Sequence, residues 1–187
     1  MARLIALYSA VPGSGKSTAA QMLADHGWVI EPFAAPLKRM AASLLHDAGY
    51  SEDATLDILS TNKGQPLSLL AGAPTARHLL QTLGTAWGRE SIHPELWIRL
   101  WASRVREALE AGRAVVCDDM RTLKEAETVR ALGGELWRIK RPWVAVDGRT
   151  IAHSTEGALN DLEFDRTITN DGTLQRLEAA VLQEVAA

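Results

Sequence analysis

The stretch Ala10-Val11-Pro12-Gly13-Ser14-Gly15-Lys16-Ser17 constrains this chain more than any other feature. It follows a short apolar run, Arg3 to Ser9, and precedes Thr18 to His26, where Ala19, Met22 and Leu23 recur at helical spacing. The predicted order is strand, loop, helix. Glycines in such a loop let backbone N–H groups turn inward around an anion, and the N-terminus of the following helix favours negative charge. A turn that merely joined strand to helix would require neither the lysine nor the hydroxyl in that order.

The segment fits the Walker A pattern G-x-x-x-x-G-K-[ST], with Ala10 in place of the first glycine. In that chemistry Lys16 reaches the outer phosphates and the Ser17 hydroxyl binds Mg²⁺. Gly13, Ser14, Gly15, Lys16, Ser17 and Thr18 are therefore the candidate cradle for ATP, with Mg²⁺ as its companion ion.

The remaining chain alternates strand and helix signals. Trp28 to Ile30, Ala114 to Cys117, Glu135 to Lys140 and Arg166 to Thr169 read as strands. Ala35 to Ala48, Thr75 to Trp87, Pro94 to Ala111 and Thr173 to Val185 read as helices, and a further helix opens at the Thr122…Glu125 capping box and runs to Gly133. Residues 50 to 74 carry Ser, Asp, Asn, Gly and Pro with a brief periodic stretch at Leu56 to Leu59, and read as a mobile connection. The segment 141 to 165 is irregular apart from a short helical candidate at Thr155 to Leu162. This alternation predicts an α/β protein with a parallel sheet covered on both faces, and 187 residues without repeats or linkers suit a single domain.

Composition narrows the function. A lone cysteine, Cys117, forms no internal disulfide, and the N-terminal residues lack a signal-peptide pattern, so a cytoplasmic setting is expected. No apolar run approaches the roughly 20 residues that cross a bilayer. A formal net charge of -3 argues against nucleic acid as partner. His26, His46, His78, His93 and His153 lack ligand spacing, so no transition-metal site is expected. A small-molecule substrate is the expected partner; oligomeric state is not legible, and a homodimer is compatible with the chain.

The loop alone admits switches, motors and kinases. Thr61-Asn62-Lys63-Gly64 is superficially similar to the guanine-reading N-K-x-D, but Pro66 follows Gln65 and the segment comes too early; it reads as an ordinary polar loop. Four further stretches resemble the phage-type deoxynucleoside monophosphate kinases: Phe33-Ala34-Ala35-Pro36-Leu37-Lys38, Leu79 to Arg89 (LLQTLGTAWGR), Asp118-Asp119-Met120-Arg121 with Glu125-Ala126, and Ile168 to Thr173 (ITNDGT). His153-Ser154-Thr155-Glu156 is similar to the family's His-x-Ser-Glu pattern. The matches run in order across nearly the whole chain. The resemblance implies a three-layer P-loop NTPase fold with a five-stranded parallel sheet, a helical monophosphate-binding region at about 50 to 90, and an arginine-bearing lid at about 141 to 165. It also implies ATP-dependent phosphorylation of a deoxynucleoside monophosphate, in the host cytoplasm if phage-encoded.

An acceptor phosphate with a second pKa of about 6 is already ionised at neutral pH, so positive charge and alignment are what the protein must supply. Lys38 and Arg77 are candidates for the acceptor phosphate and Gln81, one turn beyond Arg77, for a base edge; all three also read as solvated helix residues. Trp87 could stack on the base and Arg89 meet phosphate, while core filling explains the tryptophan equally well. Asp118 and Asp119 end a strand at the sheet's carboxyl edge, and alternation puts their side chains on opposite faces. Asp118 is assigned to Mg²⁺ and Asp119 to substrate, although the sequence does not say which one faces the nucleotide. Lys16, Arg121 and Arg141 are the candidate catalytic groups, with Arg138 and Arg149 also bracketing the lid; surface arginines paired with carboxylates are the plain alternative. Asn170, in the turn Asn170-Asp171-Gly172, lies where related kinases contact adenine, or simply makes an Asx turn.

Overall fold

In the computed structural model the described residues are 3–142, 159 and 161–186, and they form two compact units, Met1–Phe33 with Ala102–Ala187 and Ala34–Trp101. The first unit is built on strand β1, Leu4–Tyr8, which is buried at every residue and therefore apolar throughout. The loop at 9–15 leads into helix α1, Lys16–Asp25, and then into the short strand β2, Val29–Ile30.

Strand β3, Val115–Cys117, and strand β4, Glu135–Lys140, flank β1, and strand β5, Arg166–Thr169, lies outside β4. The order is β2-β3-β1-β4-β5, the strands of this sheet pair in parallel, and within the described residues it is five-stranded. β1 is central, so the loop leaving its carboxyl end emerges between the ends of β3 and β4.

Alternation along β1 separates the layers. Ile5 and Leu7 pack with Ala19, Ala20 and Leu23 of α1 and with Leu177 and Val181 of helix α7, Leu174–Ala186. Leu4 points to the other face, where Gly134 brings it close to Val129 of helix α6, Leu123–Ala131. A Cβ on Gly134 would lie 2.7 Å from both side chains, so glycine is what lets α6 turn directly into β4. Thr122 and Glu125 form the predicted capping box at the start of α6.

The second unit contains helices α2, Ala35–Asp47, α3, Glu52–Ser60, and α4, Ala76–Gln81, around a cluster of Ala41, Leu45, Leu59, Leu67 and Ala76. Helix α5, Leu96–Glu110, begins in this unit. The expectation of an irregular connection over 50 to 74 is corrected here. Ser51 caps the Ala54 N–H at 3.3 Å, Glu52 and Asp53 favour the positive helix start, and Thr55 and Leu59 are buried one turn apart, so residues 52–60 are helical. The predicted helix from Thr75 also changes character, because at Thr82 it passes into a π-helix that runs to Ile92. Trp87 and Arg89 therefore sit inside this element and not at a helix end.

Candidate functional site

The loop after β1 closes on its own backbone. Gly13 and Gly15 have φ of 66° and 101°, values that L side chains rarely adopt, so both glycines are conformational requirements. Ala73 is the non-glycine residue with positive φ among those described, so Ala10 sits in ordinary backbone and the missing first glycine costs nothing locally. α1 begins at Lys16 with Gly15 as its N-cap residue and with no side-chain cap, which leaves its first N–H groups facing the cradle. Gly13 to Thr18 line a cavity of about 370 Å³ together with Arg141, Asn170 and Leu177.

Lys16 also lines a smaller cavity of about 110 Å³ beside Asp118, Asp119 and Arg121 at the carboxyl end of β3. The Ser17 hydroxyl donates to Asp118 Oδ2 at 2.6 Å, which distinguishes the two acidic residues. Asp118 faces the cradle. Asp119 accepts from the Phe33 N–H at 2.7 Å and from the Cys117 thiol at 3.3 Å, although it also lines the smaller cavity. Burial and the neighbouring Asp119 charge push the Cys117 thiol well above its ordinary range, so it is held as an inert hydrogen-bond donor.

The loop carrying Arg121 is tied down from α6. Glu125 Oε2 accepts the Arg121 N–H at 2.7 Å and the Thr122 N–H at 3.0 Å. Burial raises the Glu125 carboxyl above its usual value despite those two donors, which lower it. Arg121 itself is exposed at the cavity mouth.

The arginines after β4 divide. Arg138, half-buried on β4, holds its guanidinium 4.2 Å from the Phe164 ring and 5.9 Å from the Tyr8 ring, two rings that stack on each other at 5.4 Å, and donates to the Leu159 carbonyl at 3.2 Å. It also lines a separate cavity of about 370 Å³ beside Ser9 and Arg141. Arg141 Nη1 donates to the Gly13 carbonyl at 2.9 Å, and Asn170 Nδ2 donates to the Ser14 carbonyl at 2.9 Å. Arg149, the stretch His153 to Glu156 and most of the expected lid lie outside the described residues.

A family model described as deoxynucleotide monophosphate kinase matches residues 72–181 of this chain. The chain belongs to that family. A protein of Acanthamoeba polyphaga mimivirus bearing a provisional name of the same kind is 29% identical over 182 residues, covering 91% of this chain and 90% of its own length. The deoxynucleotide monophosphate kinase of Escherichia phage RB69 is 31% identical over 106 residues, 56% of this chain, and the match spans only 42% of the phage protein. Among solved structures, TT1252 from Thermus thermophilus superposes with a TM-score of 0.55 at 19% identity, covering 99% of this chain and 96% of its own. The dephospho-CoA kinase from Campylobacter jejuni gives 0.51 at 9% identity, covering 98% and 96%. At these identities the two structures speak for the α/β fold alone.

The family-type residues of the second unit lie on three of its elements. Lys38 is half-buried on α2, while Arg77 and Gln81 are exposed at the two ends of α4, where the Thr75 hydroxyl caps the His78 N–H at 3.1 Å. Trp87, 40% exposed, tilts against Trp97 at 6.1 Å, and Arg89 is exposed two residues on. Sequence reading missed Trp97, whose indole N–H donates to the Gly84 carbonyl at 2.8 Å within the π-helix. Its signal was Gly88, where a Cβ would lie 2.5 Å from the Trp97 ring nitrogen.

Proposed function

We propose that this chain transfers the terminal phosphoryl group of ATP to a deoxynucleoside monophosphate, giving ADP and the diphosphate. The observation that carries the ATP half is the meeting of Lys16, Ser17 and Asp118 at the carboxyl ends of β1 and β3. Family membership supports the acceptor half.

The donor set fits Mg²⁺, because a serine hydroxyl and a carboxylate oxygen 2.6 Å apart are hard oxygen ligands of the kind it takes alongside phosphate oxygens. Ser17 and Asp118 would hold the ion, which supplies neutralising charge on the phosphates when bound. The chain's own residues supply alignment and further charge. Backbone N–H groups of Gly13 to Thr18 cradle the phosphates, Lys16 offsets charge at the transferring group, and Arg121 and Arg141 are the arginines at the two cavity mouths. No general base is required, since the acceptor oxygen is already ionised. On the acceptor side Lys38, Arg77 and Arg89 are assigned to phosphate and Gln81 and Trp87 to the base, with Asp119 as a further substrate contact. Arg138 and Asn170 complete the ATP-side assignment.

ADP release measured across deoxy and ribo monophosphates, with dephospho-coenzyme A included, tests the reading. Turnover that depends on a deoxynucleoside monophosphate, and that vanishes in a folded Lys16→Ala variant, is expected. Slow hydrolysis indifferent to acceptor, or a response to dephospho-coenzyme A alone, would overturn it.

A further inference from the structure

We infer that Asn170 is a positioning residue of the phosphate cradle, whose side-chain amide holds the Ser14 carbonyl and so prepares the loop's N–H groups for triphosphate. The inference rests on the ATP-binding reading of the loop and not on the acceptor.

In a loop that turns its N–H groups inward, the carbonyls are left facing out and need partners. Ser14 is 1% exposed, so water cannot serve its carbonyl well. Asn170 does so at 2.9 Å. Its own backbone is fixed first, because the Asn170 N–H donates to the Lys140 carbonyl at 2.7 Å and extends the β4–β5 ladder by one rung. From that anchored position the amide lies directly over Gly15, where a Cβ would sit 2.6 Å from Nδ2 and 3.4 Å from Leu177 Cδ2. Gly15 is thus required twice, for its φ of 101° and for the approach of this amide. Arg141 donates to the preceding carbonyl, that of Gly13, but from an exposed position where water can take its place. Two successive carbonyls are tied from the ends of β4 and β5, and the half-buried tie is the asparagine.

A residue acting through the loop weakens every ligand with the same phosphates by the same factor, whereas a residue reading adenine weakens only ligands that carry the base. Binding of ATP and of inorganic tripolyphosphate, each with Mg²⁺, is therefore measured by calorimetry for the wild type and for Asn170→Ala. Both affinities are expected to fall by about tenfold, with their ratio unchanged. Amide exchange in the ligand-free protein should quicken at Gly15 and Lys16 and not along α7. If ATP alone weakens, if neither ligand weakens, or if exchange at the loop is unaltered, the inference fails. Should Asn170→Ala melt below the assay temperature, Asn170→Asp, which keeps the size and loses the donor, is read by the same ratio. A chain that binds tripolyphosphate as expected but phosphorylates no deoxynucleoside monophosphate would overturn the proposed function and leave this inference standing.

Discussion

Arg141 rests its guanidinium on the Gly13 carbonyl at 2.9 Å while remaining exposed and lining the cavity beside Gly13 to Thr18. One neutral hydrogen bond leaves most of its donors available, so its charge can serve the phosphoryl group as negative charge moves toward the leaving oxygen. Arg141→Ala is expected to lower kcat by about 10²-fold while ATP affinity by calorimetry shifts by less than about threefold. An equal loss in both would make Arg141 a ground-state binder instead. The acidic pair shows what single residues concede to sequence reading and what they withhold. Strand alternation separates Asp118 from Asp119 without structure, but their division of labour depends on Ser17 and on the Phe33 N–H, which are distant in sequence and meet them only through the sheet order. The same holds for Asn170, whose turn is legible from Asn-Asp-Gly but whose partner Ser14 is 156 positions away.

Elements with a regular period were the legible ones. β4 and β5 have the predicted bounds, and the Thr122 to Glu125 capping box starts α6 as its spacing demands. α3 was missed because its polar composition hid two helix signals, the Ser51 cap and the acidic first turn. The π-helix over 82–92 was missed for a different reason. Apolar periodicity near 3.6 cannot separate an α-helix from a wider one over so few turns. Its distinguishing features are contacts: Trp97 donates to the Gly84 carbonyl, and its ring presses on Gly88. A Cβ at Gly88 would lie 2.5 Å from Trp97 Nε1, whereas one at Gly84 would lie 3.2 Å from Leu37 Cδ2, the end of a flexible side chain. Gly88→Ala is therefore expected to destabilise the protein by about 1–3 kcal/mol, and Gly84→Ala by clearly less, in denaturant unfolding. Equal effects would show that the tryptophan ring yields and does not fix the element.

Two buried or half-buried carboxyl groups couple the folding of the whole chain to pH in opposite directions. Asp165 stands just before β5 and joins it to α6 and β4, accepting from Arg130 Nη1 at 2.7 and 2.6 Å and from the Leu136 N–H at 2.7 Å. Burial raises this carboxyl, but the Arg130 and Leu136 donors outweigh it, and the net effect holds it below its ordinary 3.8. A group lowered on folding contributes stability that is present above its unfolded pKa and is lost as pH falls through the folded value, so Asp165 acts below about pH 4. Glu125 runs the other way. Burial lifts its folded pKa above 4.5, so the native state binds the extra proton between that value and the raised one, and stability falls as pH rises through that window. Unfolding free energy measured against pH should therefore decline as pH rises from the ordinary carboxyl value of 4.5 through the Glu125 window, and collapse separately in acid. Glu125→Gln, which keeps an acceptor for the Arg121 and Thr122 N–H groups, is expected to flatten the upper decline and spare the acid limb. Asp165→Asn should do the reverse, and at neutral pH should be the less stable of the two because it removes the charge that Arg130 pairs with. If Glu125→Gln leaves the upper slope untouched, the carboxyl that tethers the Arg121 loop is charged throughout, and the native state retains its buried negative charge across the whole range.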